Sequence, residues 1–263
     1  MKEIECLNGG NRESQMANRE SRVANRRATG DKRYAISVFF PCYNEQDNVA
    51  RTVEEALLVL GQQSCDFEII IVDDGSTDGT GRIADEIASR DSRVKVVHHR
   101  TNLGYGAALQ SGFKTATKEL VFYTDGDGQF DINELPPLLP LMDKADIVSC
   151  YRLNRQDPFM RKINAWCWTK LVCWLFGMKI RDINCAFKLY KREIFDNIEL
   201  LSSGALIDAE ILAKASRKGY SITQKGVHHY PRIAGSQTGA NLRVILRAFK
   251  ELFKLKSEIN SKS

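Results

Sequence analysis

From Tyr34 onward, short apolar runs alternate with stretches whose apolar residues recur at helical spacing. The run AISVFFP closes on Pro41, and NVARTVEEALLVL follows with one apolar helical face and Asp47 near its start as a cap. FEIIIVD is a β-branched run of the kind found in buried parallel strands. GTGRIADEIASR then predicts a helix, RVKVVHH a strand, GYGAALQSGFKTA a helix and ELVFYTD a fourth strand. Strands alternating with helices predict βαβ units and a parallel sheet with covered faces, where ligands bind beyond the carboxyl ends of the strands. The polar segments fall at those ends: PCYNE (41–45), DDGSTDGT (73–80), RTNLGYG (100–106) and DGDGQ (125–129). Four such loops on one edge of a sheet predict a site.

The second half is less regular. INAWCWTKLVCWLFG (163–177) is apolar nearly all round and rich in tryptophan, which suits a membrane-facing element and a buried core equally. DINCAFKLYKREIF reads as a strand and helix, GALIDAEILAKASRKGYSI as a capped helix, and GVHHYPRIAGSQTG as a basic, glycine-containing loop. NLRVILRAFKELFKLK (241–256) predicts an amphipathic basic helix with Leu242, Ile245, Leu246, Phe249, Leu252 and Phe253 on one face. It has the composition of an interfacial helix drawn to anionic lipid, and packing on the domain is the alternative. The first 33 residues carry a decaying repeat (NRESQMA, NRESRVA, NRRATGD) without an apolar seam, which predicts a disordered polar tail.

Composition narrows the class. A chain of 263 residues that is 43% hydrophobic can bury a sizeable core, and a net charge of +5 is too mild to argue for nucleic acid. No run of about 18 apolar residues predicts a membrane span, and the start MKEIECLNGGNRES has no signal-peptide core. Seven cysteines form no CxxC pair, which argues against zinc or a disulfide framework and fits a reducing cytoplasm.

Candidate chemistry follows from the loops. Asp125, Asp127 and Gln129 alternate at a strand end, so their oxygens point to one face. Two close carboxylates repel unless a positive group lies between them, and a hard divalent cation, Mg²⁺ or Mn²⁺, suits oxygen ligands; a purely structural turn is the competing reading. Asp73 and Asp74 end a buried strand, where a carboxylate accepts hydrogen bonds from a base or ribose or else caps the next helix. Arg232, Gly235 and Ser236 are candidates for phosphate oxygens, as is the cluster Arg152, Arg155 and Arg161. His228 and His229 read as packing residues before bases.

The motifs FFPCYNE, IIIVDDGSTDGT, NLGYGAAL and FYTDGDGQFD, in this order, resemble family 2 glycosyltransferases. With the later DINCAFKLYKR and PRIAGSQTG the resemblance runs from about Tyr34 to Gly239 and is nearest to the dolichol-phosphate mannosyltransferase-like, or polyprenyl-phosphate sugar transferase, branch. It implies a GT-A fold, a Rossmann-like αβα sandwich with a mostly parallel central sheet, binding a nucleotide-sugar with Mg²⁺ or Mn²⁺. By position, Pro41, Tyr43, Asn44 and Glu45 are expected to line base and ribose, with Asp73 or Asp74 on the base and Gly104 in the donor site. Asp125, Asp127 and Gln129 are expected to hold the metal; Arg152, Arg161, Arg232 and Ser236 to meet phosphates; Lys188 is a further donor-site candidate.

The implied mechanism is an inverting single displacement, with Asp127, Asp182 and Arg152 as catalytic residues. A lipid-phosphate acceptor needs no strong base; a hydroxyl acceptor needs one, and Asp182 is the first choice, ahead of Asp208 and Glu210. The expected organisation is a tail over 1–33, a catalytic domain over 34–240 (donor half 34–150, acceptor half 151–240) and a C-terminal helix over 241–263. The expected partners are a nucleotide-sugar, UDP- or GDP-linked, and a polyprenyl phosphate at the cytoplasmic membrane face; homo-oligomerisation is left open. Alternatives are the same chemistry on a soluble hydroxyl acceptor, or a sugar-phosphate nucleotidylyltransferase. The latter calls for a glycine-rich basic loop where FFPCYNEQDN stands. A nucleotide-sugar-binding regulator without catalysis predicts a damaged metal motif, and DGDG is intact.

Overall fold

A computed structural model of the chain describes residues 34–63, 65–153, 159–231, 251–252 and 254–257. The predicted tail over 1–33 and most of the predicted C-terminal helix therefore lie outside the described residues, as do Arg155, Arg232 and Ser236. The unit from Ala35 onward carries the fold.

Seven strands form one sheet: β1 (Ile36–Cys42), β2 (Phe67–Asp73), β3 (Val94–His98), β4 (Leu120–Thr124), β5 (Ile147–Leu153), β6 (Phe187–Lys191) and β7 (Ile222–His228), in spatial order β3-β2-β1-β4-β6-β5-β7. The helices are α1 (Val49–Gln62), α2 (Thr80–Arg90), α3 (Tyr105–Thr115), α4 (Phe159–Phe176), α5 (Ile194–Asn197) and α6 (Ile207–Arg217), with 3₁₀ turns at Ile132–Glu134 and Pro136–Asp143. The first four strands run parallel, as the βαβ pattern predicts, and β5 pairs parallel with β7. Only β6 is antiparallel, inserted between β4 and β5 with Phe187 opposite Thr124. The chain leaving α4 thus re-enters the sheet at its carboxyl edge instead of crossing back first.

Strands β1, β2 and β4 are buried along their whole length, because helices cover both faces. One face carries Phe39, Ile70, Val72, Val121 and Tyr123 against Leu109 and Phe113 of α3 and Ile211 and Leu212 of α6. Phe39, Phe113 and Tyr123 pack ring on ring with centroids 4.9–5.8 Å apart. Burying each such side chain is worth about 1.5–3 kcal/mol. Helix α1 starts one residue later than Asp47 suggests: Asn48 holds the cap position, but its side chain turns to Glu45, with Nδ2 donating to Oε2 over 2.7 Å. The C-terminal piece resolves one alternative. Leu252 and Leu255 are buried in the main core, so this end of the segment packs on the domain.

At the opposite edge from the loops, Glu68 ties three elements together. It accepts from Ser37 Oγ (2.6 Å), Lys95 Nζ (2.7 Å) and Thr117 N (2.7 Å). Burial would raise its pKa, but the bonds from Lys95, Ser37 and Thr117 outweigh it and hold the carboxyl at about 2. A depressed folded pKa adds stability above the ordinary carboxylate range that is lost as pH falls toward 2. Glu68→Ala is expected to cost about 2–3 kcal/mol, read as a lower urea midpoint at pH 7 and as a smaller difference from wild type at pH 3.

Candidate active site

The ends of β1 and β2 lie side by side, Cys42 opposite Asp73, and their loops are stitched together. Asn44, at φ 56°, accepts from Thr77 N through Oδ1 (2.8 Å), and its own N–H donates to Ser76 Oγ (3.0 Å). Glu45 N donates to Thr80 Oγ1 over 2.8 Å. Pro41 and Glu45 are buried while Tyr43 and Asn44 are exposed, so the predicted quartet splits between a floor and a rim. Gly75 turns the β2 loop at φ 69°, and a Cβ there would overlap the backbone of Thr101.

The two aspartates ending β2 diverge. Asp74 accepts from Leu103 N (2.9 Å), Gly104 N (2.9 Å) and has His99 Nδ1 at 2.6 Å, so it holds the loop that starts α3. His99 Nε2 lies 2.8 Å from Ser111 Oγ, completing that brace. Asp73 accepts from Ser76 N (3.0 Å) and has His98 Nδ1 at 2.9 Å. His98 also meets Asp85 at 3.0 Å; Asp85 first and Asp73 second hold its pKa above the ordinary imidazole value. A carboxylate has about four lone-pair positions. Asp73 retains more of them than Asp74.

Beyond β4, which ends at Thr124, Asp125 and Asp127 lie in the following turn, close enough for the charge of one to act on the other. Burial first, and the charge of Asp127 second, push the Asp125 carboxyl up to about 8. Asp127 Oδ1 accepts from Gln129 N (3.0 Å), and the Gln129 amide donates to Tyr230 O (3.0 Å), which joins this loop to the end of β7. Gly126 lets the loop approach β1, since a Cβ there would lie 2.6 Å from Cys42 Sγ. The Cys42 thiol is pushed up by burial and then by the charges of Glu45, Asp73, Asp125 and Asp127. Among the described residues no three His, Cys, Asp or Glu side chains form a metal cage. Two neighbouring carboxylates nonetheless suit a Mg²⁺- or Mn²⁺-type site, where substrate phosphates and water complete the shell.

Behind Asp125 runs a buried relay that sequence reading missed in part. Tyr105 OH donates to Asp125 Oδ1 (3.1 Å), and burial followed by the charges of Asp125 and Asp208 raises the phenol pKa well above normal. Tyr123 OH donates to Asp208 on α6. Lys188 Nζ donates to Asp208 Oδ1 (2.8 Å), Tyr123 OH (3.2 Å) and Cys185 O (2.5 Å). An ammonium has three N–H groups, and all three are used inside a fully buried side chain. This corrects the expectation for Lys188: it holds the floor of the site and has no donor left for a ligand.

At the end of β5, Arg152 forms a two-pronged pair with Asp182, Nε to Oδ2 at 2.7 Å and an Nη to Oδ1 at 2.9 Å. The two residues expected to act separately are one unit. Asp208 is committed to Lys188, and buried Glu210 accepts from Leu201 N, Ser202 N and Lys214 Nζ. Neither is placed as a general base. Arg161 falls in the first turn of α4. His228 pairs with Glu134 (3.0 Å), and His229 packs on Phe130.

The α/β sheet gathers these acidic loops at one carboxyl edge, and comparison with known proteins gives the family. Residues 37–199 match the family described as Glycosyl transferase family 2, and the chain belongs to that family. It is 30% identical over 228 residues to polyprenol monophosphomannose synthase of Mycolicibacterium smegmatis, covering 78% of this chain and 82% of the relative. It is 32% identical over 181 residues to dodecaprenyl-phosphate galacturonate synthase of Rhizobium johnstonii, covering 66% of this chain. The chain spans about half the length of that relative, 54%. The fold matches glucosyl-3-phosphoglycerate synthase of Mycobacterium tuberculosis, a structure solved with Mn²⁺, UDP-glucose and phosphoglyceric acid, at a TM-score of 0.64 and 20% identity, covering 86% of this chain and 79% of that one.

Proposed function

We propose that this chain is a divalent-cation-dependent, inverting glycosyltransferase that moves a sugar from a nucleoside diphosphate to a polyprenyl phosphate. The observation that carries the reading is the convergence of Asp125 and Asp127 at the carboxyl edge, with Asp125 driven to about 8 by burial and by its partner. The relatives' printed names supply the acceptor class, and the Mn²⁺–UDP-glucose neighbour supports the donor class and the metal.

In this reading Asp125 and Asp127, with Gln129 beside them, hold Mg²⁺ or Mn²⁺, which supplies positive charge for the departing diphosphate. Pro41, Tyr43, Asn44 and Glu45 bound the nucleoside, and Asp73, with lone pairs to spare, meets the base. Asp74 acts indirectly by fixing Gly104. The residues over 34–150 form the donor half and those over 151–240 the acceptor half. The Arg152–Asp182 pair argues against a hydroxyl acceptor that relies on Asp182 as base, because both Asp182 oxygens lie in the guanidinium fork; a phosphate acceptor is already anionic and needs no base.

The deciding assay incubates the protein with Mg²⁺ or Mn²⁺, UDP- and GDP-sugars, and undecaprenyl or dolichyl phosphate. A sugar-bearing lipid with nucleoside diphosphate released is the expected result. Donor turnover without lipid product would move the acceptor to a soluble hydroxyl compound, and no turnover of any donor would defeat the reading.

A pH dependence follows. Asp125 is mostly protonated below about 8, so metal must displace that proton. Mn²⁺ affinity is expected to rise about tenfold per pH unit between pH 6 and 7.5 and to level off above 8. The metal-free fold has the opposite slope, because the folded state binds the proton more tightly than the unfolded chain does. Calorimetric titration at several pH values tests it; a flat affinity would show that Asp125 is already ionised.

A further inference from the structure

We propose that the outward face of α4 is the surface by which this protein lies on an anionic lipid bilayer. The proposal rests on the polyprenyl-phosphate reading for its purpose but stands on separate observations. All three tryptophans of the chain, Trp166, Trp168 and Trp174, fall in this one helix. Trp168 packs against the main core, but Trp174 is 77% exposed and Trp166 61%, with Met160 at 64% and Ile163 at 36%. Ile163, Trp166, Lys170 and Trp174 recur at helical spacing on the outside, while Thr169 and Val172 on the opposite side are buried.

The charges that α4 itself carries are all of one sign. Helix α4 contains no Asp or Glu, and Lys162 and Lys170 are exposed. Lys170 Nζ lies 5.8 Å over the Trp166 ring, and Lys256, from the C-terminal piece, lies 5.7 Å over Trp174. Aromatic rings interleaved with lysines suit the headgroup layer, where indoles settle at the interface and long ammonium side chains reach lipid phosphate. A protein partner fits less well, because the centres of such interfaces are depleted in lysine. Among the described residues no helix is long and apolar enough to cross a membrane, so an orientation in the plane of the bilayer matches α4.

The placement also serves the reaction. Leu153 ends β5 at the edge that carries the site, and α4 begins at Phe159. Six residues span at most about 20 Å. Docking α4 on the bilayer therefore brings the start of the lipid-facing helix within that reach of the site's edge. This shifts the interfacial role from the predicted helix over 241–256, whose Leu252 is spent on the core, to a helix that composition left undecided.

The test uses the full chain and its own tryptophans, whose emission reports α4 alone. Vesicles of phosphatidylcholine with phosphatidylglycerol are expected to shift the emission to the blue, and lipids brominated near the headgroup to quench it; pure phosphatidylcholine should do much less. Lys162→Glu and Lys170→Glu are each expected to weaken vesicle binding about fivefold, and Trp166→Ala with Trp174→Ala to abolish it while far-ultraviolet dichroism stays unchanged. Unshifted, unquenched emission on vesicles that still sediment the protein would overturn the proposal. So would a shift that follows protein concentration without lipid, the sign of self-association. Transfer to a short, water-soluble prenyl phosphate is measured alongside. If transfer persists while the emission is silent, the docking surface falls and the acceptor reading stands; a blue shift without transfer gives the reverse.

Discussion

Asp127→Asn is expected to lower kcat for sugar transfer by about 10²–10³ while leaving the fold intact. Asparagine keeps the size of the side chain and an oxygen that can accept from Gln129 N, so the turn after β4 retains its local bond. What it loses is the negative charge that acts on Asp125 and that the proposed function assigns to holding the metal. Two effects then separate this variant from a merely misfolded one. Metal affinity falls, because the site keeps one carboxylate instead of two. At the same time the Asp125 proton is released at lower pH, because the charge that helped to raise it is gone. Mn²⁺ titrations at several pH values should therefore show weaker binding with a pH midpoint displaced downward. A wild-type transfer rate in Asp127→Asn would remove this residue from the chemistry and the metal reading with it.

How much of this was legible in the chain differs from element to element. Strands β1, β2 and β4 were legible because each is a continuous apolar run ended by polar residues, the pattern a strand buried on both faces must have. Strand β7 was not, because ITQKGVH is largely polar and half exposed and reads as the end of a helix and the start of a loop. The reversal of β6 was not, since FKLYK carries no mark of direction; that is set by where the preceding loop returns the chain. Asp125 and Asp127 were legible as alternate carboxylates at a strand end. Tyr123 was not, because within LVFYT it reads as one more core aromatic, and only packing against α6 brings its hydroxyl to Asp208. Arg152 and Asp182 were each singled out, but a pairing across thirty positions has no local signal. One clue was present and unused. Lys188 lies among the apolar residues of CAFKLYK, and Asp208 among those of ALIDAEIL. Charges placed in such surroundings need partners, and here they are each other's.

That pair supports the second large prediction. Lys188→Met is expected to destabilise the protein by about 3–5 kcal/mol, because it leaves the Asp208 carboxylate buried without its ammonium. The double variant Lys188→Met with Asp208→Leu should recover a large part of the loss, since exchanging both members of a buried pair for apolar groups removes the orphaned charge. The same comparison distinguishes structure from chemistry. If Lys188 acted on a donor phosphate, the double variant would fold and remain inactive at every metal concentration. If its work is to anchor Asp208 and Tyr123 beneath Asp125 and Tyr105, the double variant should regain stability and show its deficit chiefly as weaker metal binding. Excess Mn²⁺ should then relieve that deficit. Urea unfolding of the single and double variants, followed by transfer rates across a Mn²⁺ series, measures both. A Lys188→Met variant with an unchanged urea midpoint would mean that the buried pair contributes nothing net to the fold, and the anchoring role would go with it.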